Sequence, residues 1–519
     1  MLLLILFASL LQEPAALPVW VGYPNQDALR YEVTLRADFS TRTLAGSARI
    51  LVRALAPLEE LVLDCNSGET WKVSFTNPAG APLAARFAAH QVKVSLGRRV
   101  AVNEEIEIIA HFSGVPVDGL EFSKSRYGEW FLVADPFGTR TRGWLPCEDF
   151  VGDRASWKLD LTVPAGMEAI GAGAWQEVAG GDGTVRHFIG ETRADMPPTL
   201  FAFAAGPWER VSEAGDPRLV PHFVYPQDAA NARLGLGHHA AWMKIMETTF
   251  GPYLWEKFTT AQVPTRWGGV EYPGNVWLME GLYDGGDHGV ATLAHEFVHM
   301  WFGDAVGYAN WEHAWLSEGF ASYFGPWLHE QSGGIPLASA MDGARRAWLR
   351  SAEARKRPIV WKDYPFPDDL FMSSSSNTYQ KGSWVLHMLR NEVGDAAFFA
   401  GIAAYFQANR GSAVTTASLR TAMEKAAGRD LGWFFTQWLD RPNCPILKVT
   451  ATAEGLSIEQ QQSGPPFQFP LTLQWKDADG VAQRQTIRCE AAASQALIPA
   501  GWKNLVLDPD VQLLFEQRK

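Results

Sequence analysis

The pentapeptide His295-Glu296-Phe297-Val298-His299 lies in an apolar run from Val290 to Phe302 that has no Pro and no interior Gly, so the run reads as a helix. Residues four apart on a helix sit one turn above each other, and His295 and His299 can therefore aim their ring nitrogens at a single point. Two converging imidazoles suit zinc. Glu296 is rotated by about 100° from His295, close enough to reach a water at that point without becoming a ligand, which is the place of a general base. The fold must bury this helix and bring a third donor to it from elsewhere.

On its own, a pair of histidines four apart also fits an ordinary helix surface. A second observation follows: Trp315-Leu316-Ser317-Glu318-Gly319-Phe320 opens another apolar helix, with Ser317 able to cap it and Glu318, separated from His299 by residues 300–317, in its first turn. A helix dipole alone favours an acid there. A catalytic zinc, however, typically takes three protein ligands and keeps a fourth position for water, and His295, His299 and Glu318 complete such a set. The two motifs at this spacing resemble the gluzincin peptidases of the aminopeptidase N and leukotriene hydrolase family. The resemblance is loose over most of the chain and specific from Gly268 to Gly382.

The 519 residues exceed one ordinary core and predict about three domains. With 47% hydrophobic and 20% charged residues the composition is globular. A formal net charge of -12 argues against nucleic acid or an anionic membrane face as the main partner. Met1 to Leu11 is an apolar run too short to span a bilayer, and Pro14-Ala15-Ala16 offers small residues for cleavage. It reads as a signal peptide over residues 1–17, which predicts an exported protein, periplasmic or secreted, with no membrane span in the mature chain. Cys65, Cys147, Cys444 and Cys489 lack metal-binding spacing; a Cys444 to Cys489 disulfide and free buried thiols both remain open.

From Tyr31 to Ala204, short alternating runs such as Tyr31-Glu32-Val33-Thr34-Leu35 and Ile106-Glu107-Ile108-Ile109 are broken by Gly, Pro and Asn, which predicts an all-β region. After Gly206 the pattern turns helical, near 229–249, 290–302, 318–330, 340–354, 378–392, 396–408, 416–427 and 431–439. Asp440-Arg441-Pro442-Asn443 ends the last helix, and alternating strands follow. The expected architecture is α+β and multidomain. An N-terminal curved β-sheet domain spans residues 18–206 and a mainly helical catalytic domain spans 207–440. A small C-terminal β-sandwich spans 441–519. The family resemblance makes the catalytic domain thermolysin-like and finds no room here for the large helical C-terminal domain of longer members. Trp144-Leu145-Pro146-Cys147-Glu148-Asp149 and Met196-Pro197-Pro198-Thr199-Leu200 also resemble the family's N-terminal domain.

The remaining site residues rest on that resemblance. Tyr379, in Tyr379-Gln380-Lys381-Gly382, matches the family's Tyr-x-Lys-Gly tyrosine and would donate to the developing oxyanion. Gly268-Gly269-Val270-Glu271-Tyr272 resembles the family's Gly-Ala-Met-Glu-Asn segment, an exposed strand edge that a peptide can pair with. Glu271 would then face the substrate's α-ammonium, with Gly268, Gly269 and Val270 along the peptide. Val270 and Tyr272 depart from the family's Met and Asn. Alignment on Arg142 and Pro146-Cys147 also puts Phe137 where members commonly offer a Glu or Gln to the amine. Asp135 or another acid substitutes, or recognition rests on Glu271 alone. His238, His239, His288, His313 and His329 read as structural.

These residues predict a zinc aminopeptidase holding one ion and acting on peptide substrates. Phe137 keeps open a peptidase with a relaxed need for a free amine. A peptide-binding scaffold would not need His295, Glu296, His299, Glu318 and Tyr379 together. Nothing in the residues supports the epoxide hydrolase chemistry of one family branch.

Overall fold

The computed structural model describes residues 22–179, 183–285 and 287–518, so the expected signal segment 1–17 lies outside the described residues. The first strand, Gln26–Asp38, shows why the N-terminal region is β: Tyr31, Val33, Leu35 and Ala37 are buried while Thr34, Arg36 and Asp38 are exposed. That alternation packs one face and wets the other. The strand pairs antiparallel with Thr43–Ala54 and parallel with Ser156–Pro164 at the centre of an eight-stranded sheet. A four-stranded sheet that includes Trp130–Ala134 and Phe203–Gly206 and a three-stranded sheet around Gln91–Val100 complete this region.

Beyond Gly206 the structure adds strands in segments outside the stretches expected to be helical. A five-stranded sheet comes first, in the order Glu209–Val211, His222–Val224, Thr259–Gln262, Asn275–Leu278, Gly269–Tyr272. Its strands have three or four residues each and most are buried on both faces. Periodicity cannot report strands that short and that buried. Gly269–Tyr272 is the edge strand, joined to Asn275–Leu278 through the tight turn Pro273-Gly274, where Gly274 has φ +71°.

The helical expectation holds in the body that follows. The histidine helix runs Val290–His299, stopping before Phe302, and packs against Trp315–Gln331. The stretch expected as one helix over 229–249 is two, Ala229–Gly235 and His239–Thr249, with Gly237 at φ +109° between them. Gly325 sets the distance between the two site helices: a Cβ there would lie 2.9 Å from Cα of His295. At the C-terminal end, two small sheets of four and three strands share buried Leu456, Ile458, Leu471 and Leu473. All four cysteines are buried thiols, and Cys444 and Cys489 are not bridged. Among the described residues no helix is long and apolar enough to cross a membrane.

The contact at Gly325 generates a test. Gly325→Val adds bulk against backbone that cannot rotate away, so we expect destabilisation of about 1–3 kcal/mol, read as an earlier urea midpoint, together with reduced metal retention because His295 is displaced.

Candidate active site

The histidine helix holds its two imidazoles one turn apart with Nε2 of His295 and Nε2 of His299 separated by 3.2 Å. Oε2 of Glu318 lies 3.4 Å from each of them. Metal-to-ligand bonds of about 2.0–2.2 Å in a tetrahedron place ligand atoms roughly 3.3–3.6 Å apart, so the donor triangle has the size that zinc requires. The tautomer agrees. Nδ1 of His299 lies 3.2 Å from the carbonyl of Phe302, which can only accept, so Nδ1 carries the proton and Nε2 turns its lone pair to the centre. For His295 the backbone of Ala321 accepts the corresponding bond. Burial works to raise the Glu318 carboxyl, but His299 and His295 more than offset it and hold it down to about 2. Burial works to lower the His299 imidazole, but Glu271 and Glu318 more than offset it and hold it well above its usual range; a metal ion binding here would displace that proton, leaving an ionised carboxylate and two neutral imidazoles as a zinc donor set.

Ser317 does not cap its helix. The helix begins at Trp315, three residues earlier than the sequence suggested, so the Ser317 hydroxyl sits inside the first turn, 2.9 Å from Nδ1 of His299. It is a partner that orients a ligand, which motif reasoning did not find because a serine just before an apolar run reads as a cap.

Glu296 is 5% exposed, and its Oε2 has no hydrogen-bond partner among the described residues. Burial pushes its carboxyl well above the ordinary range. It fits only because Gly269 lacks a side chain: a Cβ there would stand 2.3 Å from Oε1 of Glu296. Tyr379 lies in a five-residue π-helical turn, Asn377–Lys381, that precedes the helix Gly382–Val393. Such turns often mark functional positions. Its ring stacks on His295 with centroids 6.2 Å apart and planes 13° from parallel. The hydroxyl bonds Glu318, and burial keeps it protonated well above its usual pKa.

These groups face a cleft of about 410 Å³. One wall is the edge strand, where Glu271 and Val270 are buried and Gly268 is exposed at the mouth. Gly268 accepts from the amide of Met279, so by alternation Gly269 and Glu271 turn their main-chain groups away from the neighbouring strand and toward the cleft. Oε1 of Glu271 lies 3.6 Å from Nδ1 of His299, and burial pushes its carboxyl up to about 7. Phe137 forms the opposite wall, with its ring 4.9 Å from Phe371 and 6.1 Å from Trp267 between centroids. Asp135 does not substitute for it: its two oxygens accept from Arg140 at 2.7 Å and from the Tyr272 hydroxyl at 2.9 Å. Tyr272 accordingly points away from the cleft.

One cluster escaped sequence reasoning altogether. His239 does not stand alone: Glu213 accepts from it at 2.7 Å and from Nε2 of His222 at 3.3 Å. Nδ1 of His222 accepts the Thr260 amide at 3.2 Å, which leaves Nε2 as the protonated nitrogen facing Glu213. The cluster is thus bonded as a hydrogen-bond network, and its members come from separate elements with no motif spacing. The other four expected structural histidines, His238, His288, His313 and His329, join no group of possible metal donors among the described residues.

Residues 236–438 match the peptidase family M1 domain. Aminopeptidase M1 of Arabidopsis thaliana is 26% identical over 494 residues, which cover 86% of this chain and 54% of that protein. A leucyl aminopeptidase of Saccharolobus solfataricus is 22% identical over 466 residues, covering 86% and 58%. The chain spans about half the length of the curated relatives it matches. Among solved structures, a mutant M1 zinc metallopeptidase from Deinococcus radiodurans bound to a Tyr-Ser-Ala substrate superposes with a TM-score of 0.69 and 25% identity, over 82% of this chain and 96% of that one.

The bond from Ser317 to His299 predicts that Ser317→Ala lowers zinc affinity by roughly 10-fold to 100-fold while the fold stays intact. Competition with a chromophoric chelator measures it.

Proposed function

We propose that this chain, which belongs to the gluzincin aminopeptidase family of M1 peptidases, is a zinc-dependent aminopeptidase that removes N-terminal residues from peptides. The observation that carries the proposal is the coincidence, in one cleft, of a zinc-sized donor triangle with a free strand edge that bears a buried carboxylate, Glu271.

His295, His299 and Glu318 would hold one ion, and zinc bound there supplies Lewis acidity toward the scissile carbonyl and a water. The chain's own residues do the rest. The edge strand binds the peptide through the outward main-chain groups of Gly269 and Glu271. The Glu271 carboxylate receives the α-ammonium, which fixes the cut one residue from the N-terminus. Glu296 takes the proton of the attacking water on its unpartnered oxygen and delivers it to the leaving nitrogen; its raised proton affinity makes it able to carry that proton. The protonated Tyr379 hydroxyl donates to the oxygen of the attacked carbonyl.

Phe137 favours a second reading, a zinc peptidase with a relaxed need for a free amine, because an apolar ring gives the ammonium no second acceptor. One peptide set with free and acetylated N-termini separates the two. For the aminopeptidase, acetylation abolishes cleavage, and Glu271→Gln lowers kcat/KM on free peptides by about 10-fold to 100-fold, the worth of a hydrogen bond to a charged group. Equal cleavage of acetylated peptides would sink the exopeptidase reading and leave the second.

Glu296→Gln tests the proton carrier. We expect kcat to fall by about 10²-fold to 10⁴-fold with zinc content unchanged, since Glu296 is no ligand. Loss of the metal in this variant would overturn its role as a proton carrier.

A further inference from the structure

The cleft does not end at Trp267. Three chain segments that wall it continue directly into a second basin of about 460 Å³: Trp267 gives way to Arg266, Phe137 to Thr139 and Arg140, and Phe371 to Met372. The direction is set by the edge strand. A peptide paired antiparallel to it with its amine at Glu271 runs past Gly269 and Gly268 toward Arg266, so the second basin receives residues on the far side of the scissile bond. At about 3.3 Å per residue, a peptide of roughly four or five residues reaches Arg266 and a dipeptide does not.

The charges in this basin are unequal in availability. Arg140 is bound by Asp118 at 2.8 Å and by Asp135 at 2.7 Å, and Arg142 by Asp149 at 2.9 Å. Asp369 accepts from the Phe366 amide and the Ser373 hydroxyl. Arg266 is different. It is exposed, its guanidinium lies 4.6 Å from the centroid of the Trp267 ring, and no ion pair within 4.0 Å includes it among the described residues. Stacking on a cleft-wall tryptophan holds a planar donor fork in place while leaving its edge open. Asp368 lines the same basin, but no ion pair within 4.0 Å joins it to Arg266, so the guanidinium edge stays open to a ligand. Exposed Phe366 and Met372 add an apolar rim, 50% and 61% exposed.

We propose that the basin beyond Trp267 is a subsite for the downstream part of the substrate and that Arg266 binds a substrate carboxylate there, either the C-terminal one of a short peptide or that of an acidic side chain. The proposal rests on the aminopeptidase reading only for the direction of the peptide. Its test therefore uses binding, with Glu296→Gln protein in its zinc-loaded form as the parent and calorimetry as the readout. The probes are an apolar pentapeptide as free acid and as C-terminal amide, and the amide with Glu or Gln as its fourth residue.

We expect at least one carboxylate to tighten binding by roughly 5-fold to 10-fold over its neutral partner, and Arg266→Gln in the same background to bring that ratio to about one. The free acid against the amide reports a terminal carboxylate; Glu against Gln reports a side chain. Ratios near one in the parent, or a ratio that survives Arg266→Gln, would overturn the proposal. Neither outcome depends on whether acetylated peptides are cleaved, so failure of the aminopeptidase reading is scored separately.

Discussion

The structure is organised by a charge problem. Glu271, Glu296, Glu318 and Asp304 are all buried around one point, with His295 and His299 between them. Burial first, and then the neighbouring carboxylates, drive the proton affinity of Glu271, Glu296 and Asp304 upward, and of the four only Glu318, held by both imidazoles, is pulled down. Several carboxyl groups this close and this dry are costly unless positive charge is supplied. A divalent cation at the donor triangle would supply it, beside the Glu296 carboxyl proposed to accept a proton. The same burial that makes the site expensive gives Glu296 the basicity its role needs.

That arrangement depends on small residues at helix and strand contacts rather than on the charged residues themselves. Gly325 lets the glutamate helix approach the backbone at His295, and Gly269 leaves the space that the Glu296 carboxylate fills. Neither glycine touches a metal or a proton in the reaction. Each converts a generic packing of helix on helix, or helix on strand edge, into one in which side chains meet at ångström tolerance.

How far the sequence reported this follows from which signals are local. The histidine pair and Glu296 are fixed by helical periodicity, and Glu318 by a helix start, so all were legible from residue type and spacing. Tyr379 was reached only through family resemblance, because its π-helical turn reads in sequence as the start of an ordinary helix. Ser317 was legible as a residue but not in its role, since a three-residue shift of the helix start changes what its hydroxyl faces. Of the five-stranded sheet, only the edge strand was reached, through the family resemblance of Gly268 to Tyr272; the others left little trace, for strands of three or four buried residues show no alternation. Asp135 as an amine contact failed because Arg140 and Tyr272 are tertiary partners that no local pattern announces.

The edge strand and Phe137 together determine what kind of peptidase the cleft permits. A strand edge binds any peptide main chain, so it gives affinity without a rule for where to cut. The rule has to come from a group that reads the terminus. In this cleft Glu271 is the available carboxylate on that wall, while Phe137 and its neighbours Trp267 and Phe371 make the opposite wall apolar. The proposed discrimination by Glu271 comes from the charge-assisted hydrogen bond that an acetylated terminus forfeits. With Phe137 in place of a polar amine contact, the proposed exopeptidase specificity falls to Glu271 alone, at the cost of weaker binding of the free amine.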